Sequence, residues 1–494
     1  MNRTRSSLIA LFTALLGAVC APHASAESEA AEIARLRDTV ARMEKMMQAM
    51  QGQIAELQKD QKDAPTVASQ SKTSATSAVA SRSKPEAADI QTKPAPDAAK
   101  LSESTSKMRH RDTLTGDNLS APRPGNAPMD PTYKGFMLIP ETNTWIKLGG
   151  YAKVDSIVDS TKLGNPNKFV TNGIPVAGEA NDGKGQTYNI HAKQSRFNVE
   201  LRTPSPLGSV RFFYENDFFA NSAATDMEYN LRHYYGQVAN FTIGQTWTTF
   251  FDPDTIPDTL DFAGPGSQSV LRQPQVRYTF SPVPDHMHVA FAVEQANGDI
   301  GMLPSGSTTR SSLPDFTGHW RLEGAAGHVQ IGGLFRSLAW EGTGGAGDEA
   351  YAWGTNISGV LHTTAKDSLV ASLTAGDGIG RYIQDLPSGS GAVVSKNGDL
   401  RTVSGWGGHI GYRHFWSDRW RSEFSLGYVD MDSADVQGPK AYDRTLYSEA
   451  NLIWAPSKRF FVGLGYLYGT KTTHDGSEGE AHRIQLSMQL KLFE

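Results

Sequence analysis

Cysteine is nearly missing: Cys20 is the only one in 494 residues, and it falls in an N-terminal segment that reads as an export signal. The exported chain would hold no disulfide, no zinc thiolate and no thiol nucleophile. No run of 18 apolar residues occurs, which excludes a membrane-spanning helix. It does not exclude a membrane strand, which shows lipid only about five residues. Lys and Arg form no tract and the net charge is -5, which argues against nucleic acid as a partner. The 13 histidines show no metal-ligand spacing. No Gly-x-Ser-x-Gly appears. Gly376-Asp377-Gly378-Ile379-Gly380 lacks both the dinucleotide spacing and a following helix. No catalytic centre, metal or cofactor is expected.

Aromatic residues are also absent between Phe12 and Tyr133, and that gap frames three segments. Residues 1–26 read as a signal peptide, with Arg3 and Arg5, an apolar core from Leu8 to Val19, and Ala24-Ser25-Ala26 as the cleavage site. A lipid anchor on Cys20 would need a small residue before it and Leu further upstream, where Val19 and Gly17 stand. In residues 27–59, Ile33, Val40, Met47 and Ile54 fill one seam position and Leu36, Met43, Met50 and Leu57 the other. Unbroken three-four spacing of this kind predicts a short coiled coil. Its methionine-rich seam is weak alone, so it needs self-association. The seam does not choose between dimer and trimer, and a helix lying on the following domain is the other reading. Residues 60–132, rich in Ala, Ser, Lys and Pro, cannot bury enough apolar surface to offset ordering entropy and read as a disordered linker.

From residue 133 to 494 the texture changes. Ile484, Leu486, Met488, Leu490 and Leu492 alternate with Arg483, Gln485, Ser487, Gln489 and Lys491. Period-two alternation over about ten residues predicts a strand with lipid on one face and water on the other. The pattern recurs about sixteen times from Trp145 onward. Trp416-Ser417-Asp418 and Ala455–Lys458 read as tight turns. Lys162–Lys184, Asn297–Pro314, Gly376–Asp399 and Lys471–Gly479 read as long loops. Tight turns on one rim and long loops on the other fit an all-β fold, a 16-stranded antiparallel transmembrane β-barrel. An even strand count would put both termini in the periplasm. A soluble sandwich is the rival fold.

Charges gather on one face. Phe197, Val199 and Leu201 alternate with Arg196, Glu200 and Arg202, and Phe424 and Leu426 with Arg421 and Glu423. An Arg near the bilayer midplane would cost roughly 2–4 kcal/mol, so this face should line a wet lumen. The expected pore lining is Lys147, Lys153, Arg196, Arg202, Arg211, Arg277, Arg321, Arg413 and Arg421, with Arg336, Arg419, Arg483 and Lys491 also inward. Inward acids are fewer: Asp155, Glu200, Glu215, Glu323, Glu423 and Glu449. Such a lumen should favour anions, unless the arginines mainly brace the wall against the acids. The connection between Trp247 and Gln275 carries Asp252, Asp254, Asp258 and Asp261 among prolines. It should fold inward as a constriction, with Arg272 and Arg277 facing it across a transverse field. A calcium site or a plain outer loop are the alternatives, and the Asp spacing does not match an EF-hand.

Several segments resemble the DcaP-like porin family. They are Asn143–Leu148 with Gly149-Gly150-Tyr151-Ala152-Lys153-Val154-Asp155, then Leu231-Arg232-His233-Tyr234-Tyr235-Gly236, Ile243–Trp247 and Gly376–Ile383. The resemblance implies a homotrimer of sixteen-stranded barrels in the outer membrane. It also implies uptake of small negatively charged solutes such as dicarboxylates. The expected function is therefore passive, anion-preferring diffusion, with no enzymatic activity. The alternative is a structural outer-membrane protein whose coil links the barrel to the cell wall, with peptidoglycan as partner.

Overall fold

The computed structural model describes residues 135–220, 226–432 and 435–492. The signal segment, the coiled-coil seam and the linker lie outside the described residues.

Sixteen strands follow in chain order. They are β1 Trp145–Asp159, β2 in two pieces (Thr187–His191 and Arg196–Ser205), β3 Gly208–Asp217 and β4 Asn230–Val238. Then come β5 Phe241–Trp247, β6 Arg272–Val283, β7 Met287–Glu294, β8 Asp315–Gly324, β9 Gly327–Glu341 and β10 Gly347–His362. β11 Ser368–Asp377, β12 Ser404–Phe415, β13 Trp420–Met431, β14 Tyr442–Ser457, β15 Phe460–Thr473 and β16 Glu478–Lys491 complete the set. Each pairs antiparallel with its neighbour in sequence, and β16 returns to β1 from Tyr151↔Lys491 to Asp159↔Arg483. Closure leaves no sheet edge, which a lipid environment would punish through unpaired backbone groups. Both pieces of β2 pair with β1, at Asp155–Asp159 and at Trp145–Tyr151, so β2 is one strand interrupted at residues 192–195.

The alternation read from the sequence decides which face turns inward. In β16, Arg483, Gln485, Ser487 and Gln489 are buried, while Ile484 and Leu490 are 53% and 55% exposed on the outer wall. In β13, Glu423 is buried and Phe424 is exposed. We predict that Phe424→Arg lowers barrel stability by about 2–4 kcal/mol, measured by denaturant unfolding in lipid vesicles.

Three sequence expectations shift. Lys471 and Gly479 belong to β15 and β16, and only residues 474–477 separate these strands. Thr470, Lys471 and Thr472 continue the strand pairing beyond the apolar band, and their polarity had read as loop. Arg419 is exposed in the turn before β13, not on the inner wall. Thr402 leaves the barrel strand and joins a small separate ladder of Ile300–Gly301, Ala392–Val394 and Leu400–Thr402.

The lumen also holds apolar packing. Phe250 from the β5–β6 loop packs with Ile379, Tyr382, Ile383 and Leu386 of the β11–β12 loop and with Leu334, Val429 and Met431 on the wall. Leu163, Phe169 and Ile174 of the β1–β2 loop pack on Tyr447, Leu467 and Ala481. Three loops therefore fold into the barrel and bury apolar side chains there.

Candidate functional site

The β5–β6 loop, residues 248–271, crosses the lumen and is gripped by the far wall. Its prolines and a short 3-10 turn at Pro253–Thr255, capped by the Asp252 carboxylate accepting from Asp254 N, stiffen it. Each of its acids meets a wall arginine. Asp252 and Asp254 accept from Arg321 of β8 at 2.9 and 2.5 Å. Asp258 meets Arg421 of β13 at 2.6 Å and Arg413 of β12 at 3.3 Å. Asp261 meets Arg483 of β16 at 3.2 Å. Three histidines hold the same loop: His319 and His409 on the carbonyls of Thr249 and Thr255, and His328 on Asp252 at 2.7 Å. Lys153 donates to the Leu260 carbonyl at 2.8 Å.

Missing side chains let the loop lie this close. A Cβ at Gly332 would stand 2.8 Å from the Phe250 carbonyl oxygen, and one at Gly427 2.7 Å from Pro265 Cβ. Both clash with groups that cannot swing aside, so these lumen-facing glycines form the groove in which the loop seats.

The loop side and the opposite side differ in charge. Arg321, Arg413, Arg421 and Arg483 are outnumbered by the loop acids together with Asp159, Glu323 and Glu423, which pair with the same arginines. On the other side, β1 to β4, β6 and the β1–β2 loop supply Lys147, Lys168, Arg196, Arg202, Arg211, Arg232 and Arg272. Among the described residues, three carboxylates pair with these cations. Glu200 takes Arg202 at 2.5 Å and Arg211 at 2.7 Å, while Glu215 and Asp217 take Arg232 at 2.7 Å each. The surplus of positive charge lies on this side, and the loop acids neutralise the wall behind them.

The expected pairing of the loop acids with Arg272 and Arg277 does not occur. Arg272 stacks on Trp247 at 4.7 Å and its Nη1 has no hydrogen-bond partner among the described residues. Arg277 donates to the Trp247 carbonyl at 2.5 Å and to Gln275 at 2.9 Å. The loop passes these two residues at its root and reaches across to β8, β12, β13 and β16. The sequence-derived lining thus divides. Lys147, Arg196, Arg202 and Arg211 lie on the basic side. Lys153, Arg321, Arg413 and Arg421 anchor the loop.

Some site residues escaped the sequence reading. Arg232 and His233 are adjacent yet both point inward, 2% and 0% exposed. The register between β3 and β4 slips at Glu215/Asn216, and a bulge of this kind puts neighbours on one face. Two consecutive polar residues within the strand were the available signal. Lys168 and Phe262 come from loops, where no periodicity speaks. Phe262 stacks on Phe219 at 4.1 Å, Lys168 lies 4.9 Å over both rings, and Arg232 lies 5.7 Å from Phe262.

Loop charges at the constriction are tuned. Burial, helped by the nearby Arg272 and Arg232 and opposed by Asp217, pulls the Lys168 ammonium down to about 8. Lys168 is thus charged below that pH and loses its charge above it. Anion preference should fall as pH rises through about 8, and Lys168→Gln should flatten that fall, read from reversal potentials between pH 7 and 9. Burial alone would raise Asp258, but Arg421 and Arg413 outweigh it and hold the carboxyl at about 2. The stabilisation from that clasp is present above the ordinary carboxylate range and is lost as pH falls towards 2. Asp252, Asp254 and His328 bring potential metal-ligand atoms within 4.8 Å of one another. The Arg321 guanidinium bonds both aspartates and His328 bonds Asp252, so the carboxylate oxygens of the cluster already have donors.

A closed sixteen-stranded antiparallel barrel with an inward loop across a charged lumen is the architecture of an outer-membrane porin. The family model described as DcaP outer membrane protein matches residues 132–491, and the chain belongs to that family. Among solved structures, the outer membrane channel DcaP of Acinetobacter baumannii aligns with a TM-score of 0.61 at 19% identity, covering 71% of this chain and 98% of that one. An anion-selective porin from Comamonas acidovorans aligns with a TM-score of 0.47 at 9% identity, covering 71% of this chain and all of the other. OmpT of Vibrio cholerae gives 0.45 at 12% identity, with 72% and 100% coverage. No curated protein matches the sequence.

Proposed function

We propose that the protein is a passive outer-membrane channel that prefers small anions, dicarboxylates among them. The observation that carries this reading is the charge division at the constriction. Seven cations with three paired carboxylates stand on one side, and a loop with its acids tied to the wall stands on the other. A solute passing between them meets a net positive surface with low-dielectric walls, which raises local anion concentration. Guanidinium groups suit carboxylates because they offer two parallel donors. Arg272 Nη1 has no hydrogen-bond partner among the described residues and is open to one. The chain would be exported through its signal segment, assemble as a homotrimer, and keep its N-terminal coil in the periplasm. Planar-bilayer reversal potentials in a KCl gradient test the reading. Anion selectivity, with block or competition by added succinate, is the expected result, and cation selectivity would overturn it.

A further inference from the structure

The segment entering β1 carries an aromatic side chain onto the end of the basic path. Met137 and Leu138 pair with Ile146 and Trp145 of β1, so the chain doubles back over its own first strand. Just before this turn, Gly135 has φ +88, a conformation open to glycine, and its missing Cβ faces the Lys147 side chain at 3.6 Å. Phe136 then sits with its ring 5.7 Å from Lys147 Nζ and 5.5 Å from the Arg202 guanidinium. Arg202 is a buried residue of the basic side, and it shares Glu200 with Arg211. Arg202 pairs in register with Trp145, the first residue of β1, which places this contact at the rim where the chain enters the barrel.

We infer that Phe136 is an aromatic gate at this mouth, held over Lys147 and Arg202 by cation–π attraction. This rests on the reading of the basic side as the anion path. The ring face and a passing carboxylate need the same two cations, and the ring favours cations through its quadrupole. An anion leaving Arg211 for the mouth must displace the ring, whereas the rings beside Arg232, Phe262 at 5.7 Å and Trp247 at 5.9 Å, belong to the wall-anchored β5–β6 loop and to β5 and do not swing aside. One gated end makes the current depend on polarity. The strand pairing of Met137 and Leu138 acts as the hinge.

The test is single-channel recording on the full chain in planar bilayers, in KCl, at both polarities. Phe136→Ala and Phe136→Leu should raise conductance and abolish the difference between polarities, while Phe136→Trp should retain it. Leu keeps the volume without the π face, so it separates the cation–π hold from simple filling. Thermal unfolding of each variant verifies that the barrel is intact. Wild-type conductance and asymmetry in a folded Phe136→Ala channel would overturn the gate. Reversal potentials in the same recordings report selectivity separately. An anion-selective channel unaffected by Phe136→Ala sinks the gate alone, and a cation-selective wild type sinks the anion path.

Discussion

Arg272→Glu should collapse the channel's anion preference. Arg272 begins β6 beside the constriction, stacked on Trp247, and its Nη1 has no hydrogen-bond partner among the described residues. Replacement therefore breaks no neutralised pair at that atom. It converts a cation into an anion on the side of the lumen that carries the surplus. At about 8 Å and an effective dielectric of about 20, each unit charge is felt by a passing anion at about 2 kcal/mol. Reversal changes the field by two units, so the anion-to-cation permeability ratio should fall by on the order of tenfold or more at low salt, where screening is weak. Reversal potentials in a low KCl gradient measure it. Arg277→Gln serves as control, because Arg277 spends its donors on Gln275 and the Trp247 carbonyl and should alter selectivity far less. Equal effects from both variants would show that the division of charge has no bearing on permeation.

Arg321→Ala should release the constriction loop. This one guanidinium bonds Asp252, Asp254 and Glu323, and Asp252 and Glu323 are buried. Removing one partner of a buried ion pair leaves uncompensated charge and costs roughly 3–5 kcal/mol. The barrel closes through sixteen strand pairings that do not involve this contact. The loss should therefore appear first in the loop, as a larger and noisier conductance and as faster proteolysis within residues 248–271. Adding Asp252→Asn and Asp254→Asn to Arg321→Met should recover much of the lost order, since neutral groups no longer need the cation. Unchanged conductance in Arg321→Ala would mean that the histidines and the Phe250 cluster hold the loop without it.

The two predictions concern different kinds of arginine, and sequence reasoning could not separate them. Arg196, Arg211, Arg321 and Arg421 share one alternation signature. Whether an inward Arg meets solute or a loop carboxylate depends on where the loop lands. Asp258 lies 163 residues from Arg421 and Asp261 lies 222 from Arg483. No local pattern encodes those distances. The glycines at 332 and 427 are similar, since they read as ordinary strand glycines until Phe250 and Pro265 occupy the space beside them. Arg232 was lost for a narrower reason, a register slip of one residue that a strict period-two reading cannot anticipate.

The sequence alone determined the architecture. Period-two placement of apolar and charged side chains leaves one arrangement in which every Arg escapes lipid and every strand finds a partner, and that arrangement is a closed barrel. Only the tertiary structure decided how charge is divided across the lumen. Coulomb energy depends on separation in space, and a loop that crosses the barrel brings together carboxylates and guanidiniums that the chain keeps far apart.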